Sequence, residues 1–262
     1  MSSLFTATAA VYVSYDTHNP PSHPGSAWTR FICISDTHSR VFPVPLGDVL
    51  LHAGDLSSRG SLAQLQLTLD WIKSLPHPVK IFNLRVRLIA GNHDVGRFCQ
   101  NIHRDMDAAQ AAVRSKSLLD AGVYYIEHES IQITSASGRT WQIYGSPAAP
   151  RHSKGSFQYE RKNGSVIYEG IPTSTEILLT HSPPHGIRDV TRKGVRAGCT
   201  ALAQKMQSSD MVRCKLHVFG HIHEAHGAAL TGDLLSPTGG RISVNAALHS
   251  GGRTPVIVDL KN

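Results

Sequence analysis

Long apolar runs are missing from this sequence: none approaches the roughly 18 residues a membrane-spanning helix needs, so no membrane protein is expected. Charge is also sparse. Only 17% of the residues are Asp, Glu, Lys or Arg, below the globular average of about 25%. With 22 Gly and 14 Pro, that composition points to a loop-rich fold. Cysteine is scarce, and Cys33, Cys99, Cys199 and Cys214 show neither paired nor metal-type spacing. The default expectation is therefore a reduced, intracellular, cytoplasmic protein, with Cys33 a small buried residue in an apolar run. Met1 to Ala10 carry no Lys or Arg ahead of their short apolar stretch, so no secretory leader is expected. Internal repeats and low-complexity segments are lacking as well.

What is present is a chain of 262 residues, 40% of them hydrophobic. That suits one large α/β domain with a sizeable core, and residues 1–262 are read as that single domain. The 26 basic and 19 acidic residues leave a net charge of +7. This is either a solvated surface or a field that favours anionic substrates such as phosphates, and the basic residues form no long run. The 16 histidines are more informative. Imidazole is the commonest metal ligand and the usual proton carrier near neutral pH, so their excess favours a metal or acid–base site.

Periodicity sketches the fold. Ala10 to Tyr15 reads as a first strand, and short β-branched runs follow at Arg30 to Ser35 and Asp48 to Ala53. Leu62, Leu65, Leu69 and Ile72 recur at helical spacing within Ser61 to Leu75, and Pro76 and Pro78 stop that helix. Val79 to Phe82 and Val86 to Ala90 are two strand-like pieces where one would suffice. Asp105 to Asp120 reads as an Ala-rich helix. Val123 to Glu127, Ile131 to Thr134 and Thr140 to Tyr144 read as an antiparallel meander, and Gly145 to Thr175 as a long loop over one edge. Glu176 to Thr180 and Lys215 to Phe219 are again apolar strands, while Arg241 to Asn245 and Pro255 to Leu260 are expected to close a second sheet. The expected architecture is α/β: two packed mixed β-sheets flanked by helices.

Polar groups gather where these strands end. Asp36-Thr37-His38, Gly54-Asp55, Gly91-Asn92-His93-Asp94, Thr180-His181 and Gly220-His221-Ile222-His223 each follow an apolar run. Ligands bind outside the carboxyl ends of strands in sheets of this kind, and glycine lets the backbone turn sharply there. Each cluster alone is weak, because Asp after a strand is more often a turn former and a lone His more often a surface or core residue. Five together are unlikely by coincidence.

In this order and spacing the clusters resemble the motifs of calcineurin-like metallophosphoesterases. Ser35-Asp36-Thr37-His38-Ser39, Ile143-Tyr144-Gly145-Ser146-Pro147, His181-Ser182-Pro183-Pro184 and Gly186-Ile187-Arg188-Asp189 are similar to the small metallophosphodiesterase branch. The likeness spans residues 36–223, within a motif core of 30–246. It implies an αββα sandwich and two metal ions. Asp36, His38 and His223 would bind the first, Asn92, His181 and His221 the second, and Asp55 would bridge them. The ion would be Mn²⁺ first, with Fe, Zn²⁺ or Mg²⁺ compatible with the same ligand chemistry. Some animal members carry glycine at the place of His221; the histidine is present here.

Two clamped cations stabilise the attacking and leaving oxygens of an in-line displacement and lower the pKa of a bound water toward neutrality. His93 is the candidate to contact the phosphate and protonate the leaving oxygen, with Asp94 either orienting it or forming a turn. Asn92, His93, His185 and Arg188 are the candidate substrate contacts. His52 and His217 read as core or supporting residues. His18, His23, His77, His103, His128, His152, His226 and His249 read as loop or surface residues.

The resemblance implies hydrolysis of a small phosphodiester, with cyclic nucleotides first among candidate substrates. A phosphomonoesterase or protein phosphatase is the alternative, and a non-catalytic metal-binding interaction module a third reading. Nucleic acid is not an expected partner, because no dense Lys/Arg stretch interleaves with aromatics. No sequence feature sets an oligomeric state.

Overall fold

The computed structural model describes residues 3–58, 60–83, 107–151, 157–232, 240–249 and 251–262. Its strands open with β1 (Ser3–Phe5), β2 (Ala9–Tyr12), β3 (Trp28–Ile34), β4 (Val49–His52), β5 (Val79–Phe82) and β6 (Val123–Tyr125). They continue with β7 (Glu129–Thr134), β8 (Thr140–Ser146), the short pair β9 (Ala149–Pro150) and β10 (Gln158–Tyr159), and β11 (Ile177–Thr180). The last are β12 (Leu216–Phe219), β13 (Gly227–Thr231), β14 (Arg241–Asn245) and β15 (Val256–Lys261). Among the described residues, the helices α1 (Leu62–Ser74), α2 (Lys116–Asp120), α3 (Gly164–Glu169) and α4 (Thr200–Gln207) accompany them, and residues 107–113 are also helical.

Two mixed sheets pack face to face. The first runs β1-β2-β15-β3-β4-β5-β6 and the second β13-β14-β12-β11-β8-β7. β3 to β6 are parallel neighbours, and so are β8, β11, β12 and β14; antiparallel strands complete each sheet.

The alternation of side chains along each strand explains the layers. Phe31 and Cys33 on β3, with Val49 and Leu51 on β4, turn inward against Trp141, Ile143, Ile177, Leu179, Leu216 and Val218 of the second sheet. Ile32, Ile34 and Leu50 turn the other way, onto Leu65, Leu69 and Ile72 of α1. Tyr144 and Leu178 likewise leave the inner core and meet Tyr168 of α3 and Leu202 and Met206 of α4. The central strands are buried on both faces, which is why they read as continuous apolar runs. α1 begins where Ser61 accepts a hydrogen bond from the Gln64 N–H, the N-cap chemistry its sequence offers.

The structure revises several expectations. A further strand, β1, precedes the expected first one, and β2 ends at Tyr12 rather than Tyr15. The predicted Asp105 to Asp120 helix divides: residues 107–113 are helical, and a new helix starts after Ser115, whose extended backbone breaks the first. The meander divides as well. β6 is the parallel edge of the first sheet, and only β7 and β8 form an antiparallel pair in the second. Gly145 to Thr175 is not one loop but carries β9, β10 and α3, because Tyr159, Tyr168 and Ile171 are apolar enough to pack against Leu178 and Leu202. β15 does not close the second sheet; it lies antiparallel between β2 and β3 in the first. Val86 to Ala90 lies outside the described residues, and β5 is the strand that pairs with β4. Among the described residues no helix is long and apolar enough to cross a membrane.

The placement of β15 is locked by a buried ion pair. Asp259 lies opposite Arg30 in the β15–β3 register, and both are almost wholly inaccessible. The Arg30 Nε donates to Asp259 Oδ1 at 2.7 Å and its Nη2 to Oδ2 at 2.8 Å. Two further guanidinium protons reach the carbonyls of Pro21 and Ser22. Two buried charges cost several kcal/mol to desolvate, so their value lies in being fully paired. Replacing one partner alone, Asp259→Ala, is expected to cost about 3–5 kcal/mol, whereas the double replacement Arg30→Met, Asp259→Leu costs far less. Urea unfolding of both variants checks this; equal losses would contradict the ion-pair account.

Candidate metal centre

The parallel strands of both sheets point their carboxyl ends the same way, and the donor groups collect there. β3 leads to Asp36 and His38, β4 to Asp55, β11 to His181, and β12 to His221 and His223. Two glycines make the approach close enough. A Cβ on Gly220 would lie 2.0 Å from Asp36 Oδ2 and 2.2 Å from Ser35 Oγ, so only glycine lets β12 end against β3. A Cβ on Gly54, at φ +102°, would meet His181 Nδ1 at 2.7 Å.

The backbone is strained where the donors sit. Asp36 (φ 53°), His38 (φ 48°), Asp55 (φ 53°) and His221 (φ 69°) all occupy the left-handed region. Such conformations cost non-glycine residues on the order of 1–3 kcal/mol each and persist only where surrounding contacts over-determine them. Here the Asp36 N–H donates to Gly54 O, the His38 N–H to Asp55 O, and the His221 N–H to Asp36 Oδ2.

Among the described residues, two groups of donors have their ligand atoms within 4.8 Å of one another: Asp36, His38 and His223, and Asp36, Asp55 and His181. Asp36 is common to both. His38 Nε2 and His223 Nε2 face each other at 3.3 Å, and His223 Nε2 lies 3.1 Å from Asp36 Oδ1. His181 is fully buried; its Nδ1–H donates to Ala53 O at 2.8 Å, leaving Nε2 toward Asp55 Oδ2 at 3.7 Å. His221 joins neither group, but its ring stands 5.1 Å from that of His181. Asp55 Oδ1 is buried without a hydrogen-bond partner among the described residues, an acceptor left for a cation or a donor to fill. Carboxylate and imidazole donors in this arrangement fit divalent cations of intermediate hardness.

Electrostatics follow from that crowding. Burial opposes ionisation of Asp36, but the hydrogen bond from His223 and the charges of His181, His223 and His38 outweigh it. They hold the carboxyl well below the usual carboxylate range. For His223 burial pulls downward and the Asp36 carboxylate wins, raising its pKa.

Behind the donors stand two neutral histidines. His52 Nδ1 accepts from the Gly54 N–H and its Nε2 hydrogen-bonds Thr37 Oγ1, so one ring supports the turns that carry Asp36 and Asp55. Burial lowers its pKa to about 3. His217 pairs with Thr180 Oγ1 just ahead of His181, and burial also drives its pKa down. Both match the supporting role read from the sequence.

Asn92, His93 and Asp94 lie outside the described residues. His185 is exposed on the loop after His181, and Arg188 gives its Nε and Nη2 to Ala228 O on β13. Among the described residues neither makes a hydrogen bond to a member of the two donor groups. Two histidines read as loop or surface residues do lie in loops, yet make closer contacts than a solvated side chain would. His77 is buried, donating to Pro45 O. His249 lies with its ring 4.4 Å from that of His38 and 4.9 Å from that of His223.

Sequence reasoning also missed three residues that brace the centre. Asn83, fully buried at the end of β5, donates from Nδ2 to Ser146 O and Leu179 O and so ties the two sheets together. Asn245 ends β14 as Asp36 and His181 follow their strands, a signal that was available. Arg253 reaches the carbonyl of His223 from 30 residues away, which no local pattern announces.

Two packed mixed sheets with carboxylates and imidazoles gathered at their strand ends define a metal-binding hydrolase scaffold. The chain belongs to the calcineurin-like phosphoesterase family, which matches residues 29–225. Human and mouse metallophosphoesterase domain-containing protein 1 are each 35% identical over 262 residues, covering 93% of this chain and 74% of those proteins. A Caenorhabditis elegans protein of the UPF0046 group is 30% identical over 217 residues, 78% of this chain and 72% of its own length. An Emericella nidulans protein named "Probable rhamnogalacturonate lyase C" is 36% identical over 198 residues; the match covers 76% of this chain but spans only 17% of that protein.

The His52 geometry makes acid sensitivity calculable. Unfolded histidine titrates near 6.5 and native His52 near 3. The unfolded chain therefore binds the proton first, and the stabilisation is whole above pH 6.5 and lost as pH falls toward 3. At pH 5 this one residue removes about 2 kcal/mol. Urea midpoints of chelator-treated protein at pH 7.5 and 5 should show that loss and show it reduced in His52→Gln; equal pH dependence in both would contradict it.

Proposed function

We propose that this protein is a dinuclear metal-dependent phosphodiesterase acting on a small substrate, with cyclic nucleotides first among candidates. The observation that carries the reading is the pair of adjoining donor groups that share Asp36. In this reading Asp36, His38 and His223 would hold the first ion, His181, His221 and Asn92 the second, and Asp55 would serve both.

Two divalent cations, Mn²⁺ ahead of Fe, Zn²⁺ and Mg²⁺, would neutralise the phosphate and lower the pKa of water at the site. The chain's own groups do the rest. Asp36 and Asp55 bring negative charge that tempers the cations, and the Nδ1–H of His181, bound to Ala53 O, directs Nε2 inward. His93 would donate the proton to the departing alkoxide, with Asp94 as its orienting partner, and His185 and Arg188 would be further substrate contacts.

A cleft of about 370 Å³ adjoins the His221–His223 turn and supports a small organic substituent on the phosphate. Pro150, Arg161, Thr191, Ala197 and Glu224 complete its lining. Its size falls in the range of small-molecule sites, and a diester carries a group on either side of phosphorus to occupy it.

Hydrolysis of bis-p-nitrophenyl phosphate and p-nitrophenyl phosphate, with Mn²⁺ or with chelator, tests the reading. The expected result is metal-dependent turnover favouring the diester, reduced by roughly a hundredfold or more in Asp55→Ala, beyond what loss of an outer partner costs. Preference for the monoester would make the protein a phosphatase instead. No turnover of either ester with both ions bound would leave a metal-binding interaction module.

A further inference from the structure

The turn carrying His221 and His223 is held by side chains that are not themselves among the donors. Its backbone is strained at His221, and the Ile222 N–H closes back on Gly220 O at 2.8 Å. A turn this tight relaxes unless its carbonyls are restrained. Asn245, fully buried, donates from Nδ2 to Ile222 O at 2.9 Å, the carbonyl between the two imidazoles. Its Oδ1 accepts the Ala247 N–H at 3.2 Å, which orients the carboxamide. Arg253 Nη1 donates to the next carbonyl, His223 O. Consecutive carbonyls of the turn are thus held from the end of β14 and from the β14–β15 connection, both distant in sequence.

Asn245 does more than fill space. The same Nδ2 donates its other proton to Arg188 O at 3.1 Å, a residue at φ 47° on the loop after His181. One carboxamide therefore joins the His221–His223 turn, the β11 loop and the end of β14. Asparagine meets that demand because its side chain offers two N–H donors and an acceptor; aspartate offers no donor when ionised.

We propose that Asn245, assisted by Arg253, is a positioning residue that holds His221 and His223 in ligating register and couples them to the Arg188 loop. The inference rests on the dinuclear metal reading above. Its prediction is specific: loss of the carboxamide weakens metal binding through two histidines it never touches by side chain.

Co²⁺ is the probe, titrated into apo wild type, Asn245→Ala and Arg253→Met, with visible absorption, affinity and the apo melting temperature recorded for each. Asn245→Ala should bind Co²⁺ about 10–100-fold more weakly, as supporting partners of metal ligands do, with an altered absorption band. The Arg253→Met variant should shift the same way by less, and its half-buried site keeps the test open if Asn245→Ala does not fold. A wild type that binds Co²⁺ while both variants match its affinity and spectrum, with only apo melting lowered, would overturn the positioning role. A wild type that binds no Co²⁺ would overturn the metal reading itself, and this inference with it.

Discussion

Asp36 keeps its carboxylate with no exposure to water, and everything around it answers that charge. Its Oδ2 takes the His221 N–H, its Oδ1 meets His223 Nε2, and it belongs to both donor groups. A buried carboxylate is tolerable only if donors surround it, and here those donors come from strands of two different sheets. The first sheet supplies the carboxylate and His38, and the second supplies His181, His221 and His223. The packing of the sheets and the assembly of the centre are therefore one constraint rather than two.

That constraint explains where the chain accepts strain. Left-handed backbone at Asp36, His38, Asp55 and His221 turns each strand end sharply inward. Gly54 and Gly220 remove the Cβ atoms that would keep β4 and β12 apart from His181 and Asp36. Local cost is offset by the apolar core beneath, where Phe31, Trp141, Ile177 and Val218 interlock. Two neutral histidines, His52 and His217, hydrogen-bond the threonines beside the donor turns without adding charge to an already crowded site.

A second tier of polar residues makes the arrangement rigid. Asn83 reaches from β5 to carbonyls of β8 and β11, and Asn245 reaches from β14 to the turn and loop beside it. Arg30 and Asp259 do the same at the other end of the first sheet. Each is a buried group whose partners lie far away in sequence, so each fixes how elements sit rather than whether they form.

The sequence by itself determined the two-sheet α/β class, the strands leading into the site and the carboxylates and imidazoles that follow them. Those signals are local: an apolar run, then a glycine or a carboxylate or an imidazole where the strand must end. Only the tertiary structure decided that β15 enters the first sheet, that β6 leaves the meander, and that Gly145 to Thr175 folds into strands and a helix. It alone set His249 against His38 and brought Arg253 to the His223 carbonyl. Strand order and cross-sheet hydrogen bonds depend on which surfaces meet after collapse, and periodicity along a chain carries no record of the partner across the gap.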